Sequence, residues 1–211
     1  MSTSQPRSHP ALPVVLGVLG GIASGKSAAA ARLAGDLGLV ISADDLAHDA
    51  LLEVSEKIEA ELGPGLLNPS GHIDRPALAR RVFSDPAARS SLEGWIHPLV
   101  RARILAVLTE AEEQGVPRLV LDVPLLLEND AQHGLVARCH HLVFVDAPPA
   151  ERDRRAVESR GWEPGEVQRR EAAQLSPDEK RERADFVVEN MGTLAELDAA
   201  VDQVLAQAGL A

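Results

Sequence analysis

The sequence predicts an α/β fold in which helices cover a doubly wound sheet of five parallel strands. Three observations support this prediction: short apolar runs typical of buried parallel strands recur along the chain, helical patterns separate them, and turn residues mark their ends. The five predicted strands are residues 14–19, 39–42, 118–122, 142–146 and 186–188.

The first predicted strand leads directly into a glycine-rich motif. Residues 20–27 read Gly-Gly-Ile-Ala-Ser-Gly-Lys-Ser, which matches the pattern G-x-x-x-x-G-K-[ST], and a helix-forming stretch follows at residues 28–37. Strand, loop and helix in this order are the context that the motif requires. Glycines let backbone N–H groups approach an anion, and the positive end of the next helix faces the same anion. The motif predicts a P-loop NTPase-type fold that binds a nucleoside triphosphate.

The residue types in the motif predict specific contacts with the nucleotide. We expect Lys26 to neutralise the β and γ phosphates of ATP, and the Ser27 hydroxyl to ligate Mg²⁺. The alternative is a structural turn with a surface lysine, which leaves the Lys-Ser pair after the last glycine unexplained. The predicted nucleotide-binding residues of the loop are Gly21, Ile22, Ala23, Ser24, Gly25, Lys26, Ser27 and Ala28.

The second predicted strand is followed by a long segment that carries only helical patterns. These patterns cover residues 44–62, 74–83, 85–94 and 97–114. A simple crossover between parallel strands needs far fewer residues, so residues 44–115 are predicted to form an inserted helical lobe that binds the second substrate. Asp44 opens this lobe, and a carboxylate there could take the proton of a hydroxyl acceptor. Neighbouring Asp45 is a competing candidate, and helix N-capping is the structural alternative for both carboxylates.

The third predicted strand ends at Asp122. A carboxylate at the carboxyl edge of a central strand is the expected partner of Mg²⁺ beside the phosphates, whereas capping of the next segment is its structural alternative. The sequence contains no Asn-Lys-x-Asp motif for guanine recognition, which argues against a GTP-dependent switch.

Residues 148–184 separate the last two strands and are helical in pattern and unusually basic. A basic segment of this kind is typical of a lid whose arginines stabilise the charge on a transferred phosphoryl group. Arg155 and Arg160 lie on one predicted helix and are expected to contact the phosphates, although solvated surface charge can explain any single arginine. Nine of the chain's 21 Lys and Arg residues lie in this segment: Arg152, Arg154, Arg155, Arg160, Arg169, Arg170, Lys180, Arg181 and Arg183.

Composition and charge narrow the expected partners. The formal net charge of −11 disfavours binding to nucleic acid, and no apolar run is long enough to cross a membrane. The polar residues 1–13 are predicted to be a disordered tail rather than a secretory signal. The single Cys139 is expected to be a buried, inert thiol in a reducing cytoplasm. We therefore expect a cytoplasmic monomer with small-molecule partners.

Several motifs in this order make the chain resemble the dephospho-coenzyme A kinase family. The resemblance covers residues 14–205 and implies ATP- and Mg²⁺-dependent phosphorylation of the ribose 3′-hydroxyl of dephospho-coenzyme A, the last step of coenzyme A biosynthesis. It implies that Asp44 activates the acceptor and that Arg155 is a lid arginine. The matching segments are residues 20–27, Ser42-Ala43-Asp44 with His48, Asp74-Arg75, residues 96–99, residues 122–129 and residues 184–192.

Three positions depart from the family pattern. Ala23 replaces a glycine, Ser42 replaces the first of two aspartates, and Leu19 replaces a threonine. None of these changes affects the motif lysine, the motif serine or the second aspartate, so we expect an active enzyme.

The predicted organisation is one kinase domain, residues 14–211. Its core is residues 14–43, 116–147 and 185–211, to which the lobe and the lid are added. The alternative function is another P-loop small-molecule kinase, with a nucleotide, a nucleoside or a shikimate-like acceptor. A regulatory ATP-binding module and a nucleic-acid-dependent ATPase are rivals from other classes.

Overall fold

The computed structural model describes residues 12–211, and within them a sheet of five parallel strands forms the centre. Their order across the sheet is β2-β3-β1-β4-β5. The predicted α/β fold is therefore confirmed, and each predicted strand end agrees with the structure to within one residue. The predicted tail, residues 1–13, lies outside the described residues apart from its last two. The strands are β1 (Val14–Gly20), β2 (Leu39–Ser42), β3 (Arg118–Asp122), β4 (His141–Asp146) and β5 (Phe186–Glu189).

Helices connect these strands. Among the described residues none is long and apolar enough to cross a membrane. The helices are α1 (Lys26–Ala34), α2 (Ala43–Glu53), α3 (Ser55–Leu62), α4 (Arg75–Ser84), α5 (Pro86–Gln114), α6 (Asp130–His133), α7 (Pro149–Arg160), α8 (Glu166–Glu171), α9 (Pro177–Glu182) and α10 (Leu194–Gln207), and a 3₁₀ turn covers Val136–Arg138.

The described chain divides into two compact units, residues 12–41 with 108–211 and residues 42–107. In the first unit, Leu16 of β1 and Val143 of β4 belong to one buried cluster with Leu33 of α1 and Val201 of α10. Continuous apolar strands are what a parallel sheet with helices on it requires. This packing fixes the carboxyl ends of the strands and hence the loops that follow them.

The second unit has its own small core. Ile58 and Leu62 of α3, Leu78 of α4 and Ala88 of α5 are buried together with Leu66 of the intervening loop. Asp74 caps α4 by accepting a hydrogen bond from the backbone N–H of Ala77 at 2.9 Å. Asp74 is therefore the N-cap that starts this helix.

Several predicted helix boundaries are wrong. The single helix predicted at 44–62 is two helices, because the backbone of Val54 leaves the helical conformation with φ −101° and ψ 14°. Helix α1 begins two residues earlier than predicted and ends at Ala34, because Gly35 adopts a left-handed φ of 65°.

The helices predicted at 85–94 and 97–114 are one continuous helix, α5, which contains Pro98. Proline inside a helix removes one backbone hydrogen bond and costs roughly 3 kcal/mol. Ile96, Val100 and Ile104 recur every fourth residue on one face and are all buried, and this burial offsets the cost of the proline.

Candidate active site

The phosphate loop connects β1 to α1, and two of its glycines are required by close neighbours. Gly25 adopts a φ of 91°, and a Cβ there would collide with the side-chain amide of Asn190. A Cβ on Gly21 would lie 2.5 Å from Nη1 of Arg152 and 2.6 Å from Oε1 of Glu171. The positive φ of Gly25 favours glycine, and at both positions a Cβ would force the neighbouring side chains to move.

Lys26 begins α1, and its ammonium group folds back over the loop. Nζ donates hydrogen bonds to the carbonyl oxygens of Gly20 at 3.2 Å and Gly21 at 2.8 Å. The motif lysine and the loop backbone are therefore in direct contact. The ammonium group satisfies part of its hydrogen-bonding capacity with backbone carbonyls.

Burial lowers the pKa of Lys26 from 10.5 to about 8. Two carboxylates partly oppose this effect, and two further cations add to it. Together with Lys26 itself, the cations exceed the carboxylates by one charge, which leaves a net positive charge for a polyanionic ligand. In order of their effect on Lys26, the charged neighbours are Asp122, Lys180, Arg160 and Glu171.

Asp122 and Ser27 are the predicted metal-binding residues, and both lie beside the loop. Asp122 is the last residue of β3, which is hydrogen-bonded to β1, and its charge raises the pKa of Lys26. Ser27 lies in the first turn of α1 with its side chain exposed. Carboxylate and hydroxyl oxygens are suitable ligands for Mg²⁺, which usually keeps water and phosphate ligands as well. In residues 12–211, no group of three or more His, Cys, Asp or Glu side chains could hold a metal ion by itself.

Arg155 and Arg160, the predicted lid arginines, lie on α7. The guanidinium of Arg155 donates to the carbonyl oxygens of Ser24 at 3.5 Å and Asn190 at 3.4 Å, and its Nε pairs with Glu151 at 2.9 Å. The guanidinium carbon of Arg160 lies 4.9 Å from the ring centre of Trp162. The structure brings both arginines into the neighbourhood of the loop.

Other basic residues of the segment 148–184 have different environments. Arg154 pairs with Glu151 and Glu158, and Arg169 and Arg170 pair with Glu166 on an exposed surface. For these three arginines the structure supports the surface-charge interpretation. Lys180, in contrast, is 5% exposed and pairs with Glu128 at 2.9 Å.

Asp44 belongs to the second compact unit, where it lies in the first turn of α2 with its side chain exposed. The N-cap of this helix is Ser42, whose hydroxyl accepts a hydrogen bond from the backbone N–H of Asp45 at 3.2 Å. The structural alternative, in which one of the two aspartates caps the helix, is therefore wrong. Ser42, which replaces a family aspartate, performs the capping.

Cys139 is half-buried, and its thiol donates to the carbonyl oxygen of Leu135 at 3.5 Å. Burial raises the pKa of this thiol to about 12, and the charge of Asp130 adds to the effect. The thiol therefore stays protonated at neutral pH, as expected for an inert cysteine.

Comparison with known proteins identifies the family. The sequence pattern described as dephospho-CoA kinase matches residues 14–196 of this chain. The chain belongs to the dephospho-CoA kinase family. The chain is therefore a phosphotransferase with dephospho-CoA kinase activity, the final step of coenzyme A biosynthesis, as the sequence predicted. Membership of this kinase family also implies that the enzyme uses ATP.

Individual dephospho-CoA kinases are similar over most of their length. The enzyme of Symbiobacterium thermophilum is 42% identical over 193 residues, which cover 89% of this chain and 78% of that protein. The enzyme of Corynebacterium jeikeium is 38% identical over 192 residues, which cover 90% of this chain and 96% of that protein. The solved structure of dephospho-CoA kinase from Campylobacter jejuni superposes with a TM-score of 0.66 at 25% identity, covering 93% of this chain and 98% of that one.

The sequence did not predict the contacts that Asn190, Arg152 and Glu171 make with the loop, although it placed Arg152 in the basic segment and Asn190 in a matching segment. Asn190 is 6% exposed, and its Nδ2 donates to the carbonyl oxygen of Ser24 at 2.7 Å. Arg152 and Glu171 contact Ile22. These partners lie more than 120 positions from the loop in sequence, so no local pattern could have paired them with it.

Replacing Ala23 with glycine is expected to stabilise the protein. Ala23 has a φ of 58°, a left-handed conformation that costs a non-glycine residue roughly 1 kcal/mol. The free energy of unfolding should rise by about 0.5–1 kcal/mol, measured by urea denaturation with an unchanged m-value. Ala31→Gly, on the exposed face of α1, is the matched control and should lower stability by about 1 kcal/mol. Equal destabilisation by both variants would contradict strain at Ala23.

The affinity for ATP is expected to decrease as pH rises above 8. The pKa of Lys26 is about 8 in the nucleotide-free protein, and bound phosphates favour the charged lysine and must raise it. Binding above pH 8 therefore takes up a proton, and Kd should increase by up to about tenfold per pH unit there. Calorimetric titration between pH 7.5 and 9.5 measures this slope. The same slope in Lys26→Met would show that another group is responsible.

Proposed function

We propose that this chain transfers the γ-phosphoryl group of ATP to the ribose 3′-hydroxyl of dephospho-CoA in one in-line step, without a covalent enzyme intermediate. Family membership supports the substrates. The observation that carries the mechanism is the position of Lys26, a half-buried cation held over a glycine loop by two of the loop's carbonyls. Positive charge and N–H groups that are fixed in position stabilise the charge on the phosphate oxygens more strongly in the transition state than in bound ATP.

In this proposal the phosphates lie along residues 21–28. Ser27 and Asp122 hold Mg²⁺, which supplies positive charge to the phosphate oxygens when it is bound. The support for this ligand pair is chemical and positional, since Ser27 lies in the first turn of α1 and Asp122 ends β3, which pairs with β1. Lys26 holds the transferred group, and its proton stays on the ammonium throughout.

Asp44 accepts the proton of the 3′-hydroxyl as the new O–P bond forms. It follows the end of β2 by two residues, and α/β folds bind ligands beyond the carboxyl ends of their strands. We infer that residues 42–107 form the lobe that binds dephospho-CoA.

Arg155 and Arg160 stabilise the phosphoryl group during transfer, and residues 148–184 act as the lid that carries them. Their position beside the loop supports this role. Arg155 donates a hydrogen bond to the carbonyl oxygen of Ser24, and the charge of Arg160 lowers the pKa of Lys26. Positive groups fixed before the reaction stabilise developing charge without reorganisation. We further propose that the protein is a cytoplasmic monomer whose partners are small molecules. Light scattering of the purified protein measures its mass in solution and so tests the oligomeric state.

The deciding experiment offers the protein Mg·ATP and dephospho-CoA. The acceptor should gain one phosphate by mass spectrometry, and phosphorus NMR should place it on the 3′ oxygen. The analogue lacking the 3′-hydroxyl is the matched control and should gain none. Shikimate and adenosine, offered under the same conditions, test the alternative acceptors. A folded protein that leaves dephospho-CoA unmodified would contradict the proposal.

A further inference from the structure

Glu171, the last residue of α8, reaches back to the phosphate loop. Its Oε1 accepts a hydrogen bond from the backbone N–H of Ile22 at 2.7 Å. The same oxygen pairs with Nη1 of Arg152 on α7. The side chain of Arg152 is only 7% exposed, and that of Glu171 is 12% exposed. A carboxylate from the segment 148–184 is therefore bound to the loop's own backbone.

Arg152 binds the carbonyl group of Ile22, the residue whose N–H group binds Glu171. Its Nη1 donates to the carbonyl oxygen of Ile22 at 3.4 Å, while its Nε donates to the carbonyl oxygen of Ala147 at 3.2 Å. Both the N–H and the C=O of Ile22 are thus bonded to one buried ion pair. Each charge of the pair is compensated by the other, which is the condition under which buried charges are tolerated.

The ion pair also restricts the residue before Ile22. A Cβ on Gly21 would lie within 3.0 Å of both side chains, so they pack directly against the loop backbone. Lys26 binds the carbonyl oxygen of Gly21 from its own side. Side chains therefore hold the first half of the loop from two sides.

We propose that Arg152 and Glu171 are positioning residues that keep the phosphate loop in its nucleotide-binding shape by fixing both backbone polar groups of Ile22. This inference rests on the proposed role of the loop as the ATP site. A loop that is ordered beforehand loses less conformational freedom when the ligand binds, so its affinity is higher. The pair carries no net charge, and it orders the loop without adding repulsion toward a triphosphate.

Steady-state kinetics of Glu171 variants test the proposal. Glu171→Ala should raise KM for ATP about tenfold or more, because a charge-assisted hydrogen bond is lost, with kcat changed less than about threefold. Glu171→Gln keeps an acceptor for Ile22 and should restore most of the affinity. Glu158→Ala removes an exposed partner of Arg154 on α7 and is the matched control, with KM unchanged. An unchanged KM in Glu171→Ala would overturn the proposal.

The double variant Arg152→Met with Glu171→Leu separates positioning from stability. Apolar residues of similar size can replace a buried ion pair with little or no loss of stability, so this variant should fold even if Glu171→Ala does not. It lacks both bonds to Ile22, and its KM for ATP should stay raised at least about tenfold. A well-folded double variant with the original KM would overturn the proposal.

Amide hydrogen exchange of the unmodified protein provides a test that needs no kinase activity. Without nucleotide, the Ile22 amide should exchange at least about 100-fold more slowly than in an unstructured peptide, and protection should be lost in the double variant. Fast exchange of Ile22 in the unmodified protein would overturn the positioning role. Slow exchange combined with no phosphorylation of dephospho-CoA would instead contradict the proposed function and leave the positioning role intact.

Discussion

Replacing Asp44 with asparagine is expected to lower kcat for dephospho-CoA phosphorylation by about 10²–10⁴-fold, the range typical of a lost general base. Asparagine has nearly the same shape but cannot accept the hydroxyl proton. KM for ATP should change by less than about threefold, because the loop and Lys26 are untouched. Initial rates of ADP release with dephospho-CoA varied and ATP saturating measure the effect.

Two neighbouring aspartates serve as comparisons for this variant. Asp45→Asn decides between the adjacent candidates, because the larger loss of kcat identifies the base. Asp49→Asn alters an exposed aspartate further along α2 and should leave kcat within about twofold. Near-normal turnover in Asp44→Asn, with the melting temperature unchanged, would show that the carboxylate is not the base.

Replacing Lys26 with methionine is expected to lower kcat/KM for ATP by about 10³-fold or more. The ammonium group lies over the loop and is poised to meet phosphate oxygens, and methionine keeps most of the length of the side chain without the charge. The fold should survive, because burial already makes the charged form unfavourable, as the lowered pKa of about 8 indicates. Kinetics with ATP varied and a thermal melt together distinguish lost chemistry from lost structure.

Lys57→Met is the matched control for this variant. Lys57 lies in the second unit, where its Nζ sits 4.6 Å from the ring centre of Trp95 and 4.0 Å from Glu61. Its loss should leave kcat/KM within about twofold and change stability only slightly. If Lys26→Met retained more than about a tenth of the original kcat/KM, the proposed role of the lysine would be wrong.

Much of the fold could be predicted because its signals are local. A strand buried on both faces must be apolar throughout, so β3 and β4 were recognisable as short runs within one residue of their observed ends. The phosphate loop depends on glycine at fixed spacing followed by Lys26 and Ser27. These requirements are met within eight consecutive residues.

The helices of the second unit were predicted less well, because their boundaries depend on competing small effects. The sequence predicted a break at residues 95–96, yet α5 runs through it, and Ile96, Val100 and Ile104 are buried along one face. Nothing in the local sequence marks Val54 as the end of α2. At both positions the energy of packing decides, and it is set by neighbours that the sequence does not reveal.

The sequence by itself determined the fold class, the phosphate loop and the family, since each depends on residue types at short and regular spacing. Only the tertiary structure decided that Ser42 caps α2, that Asn190 binds Ser24, and that Arg152 and Glu171 hold Ile22. The physical reason is that hydrogen bonds and ion pairs act over about 3 Å in space. Partners far apart in sequence become neighbours only when the sheet and its helices have packed.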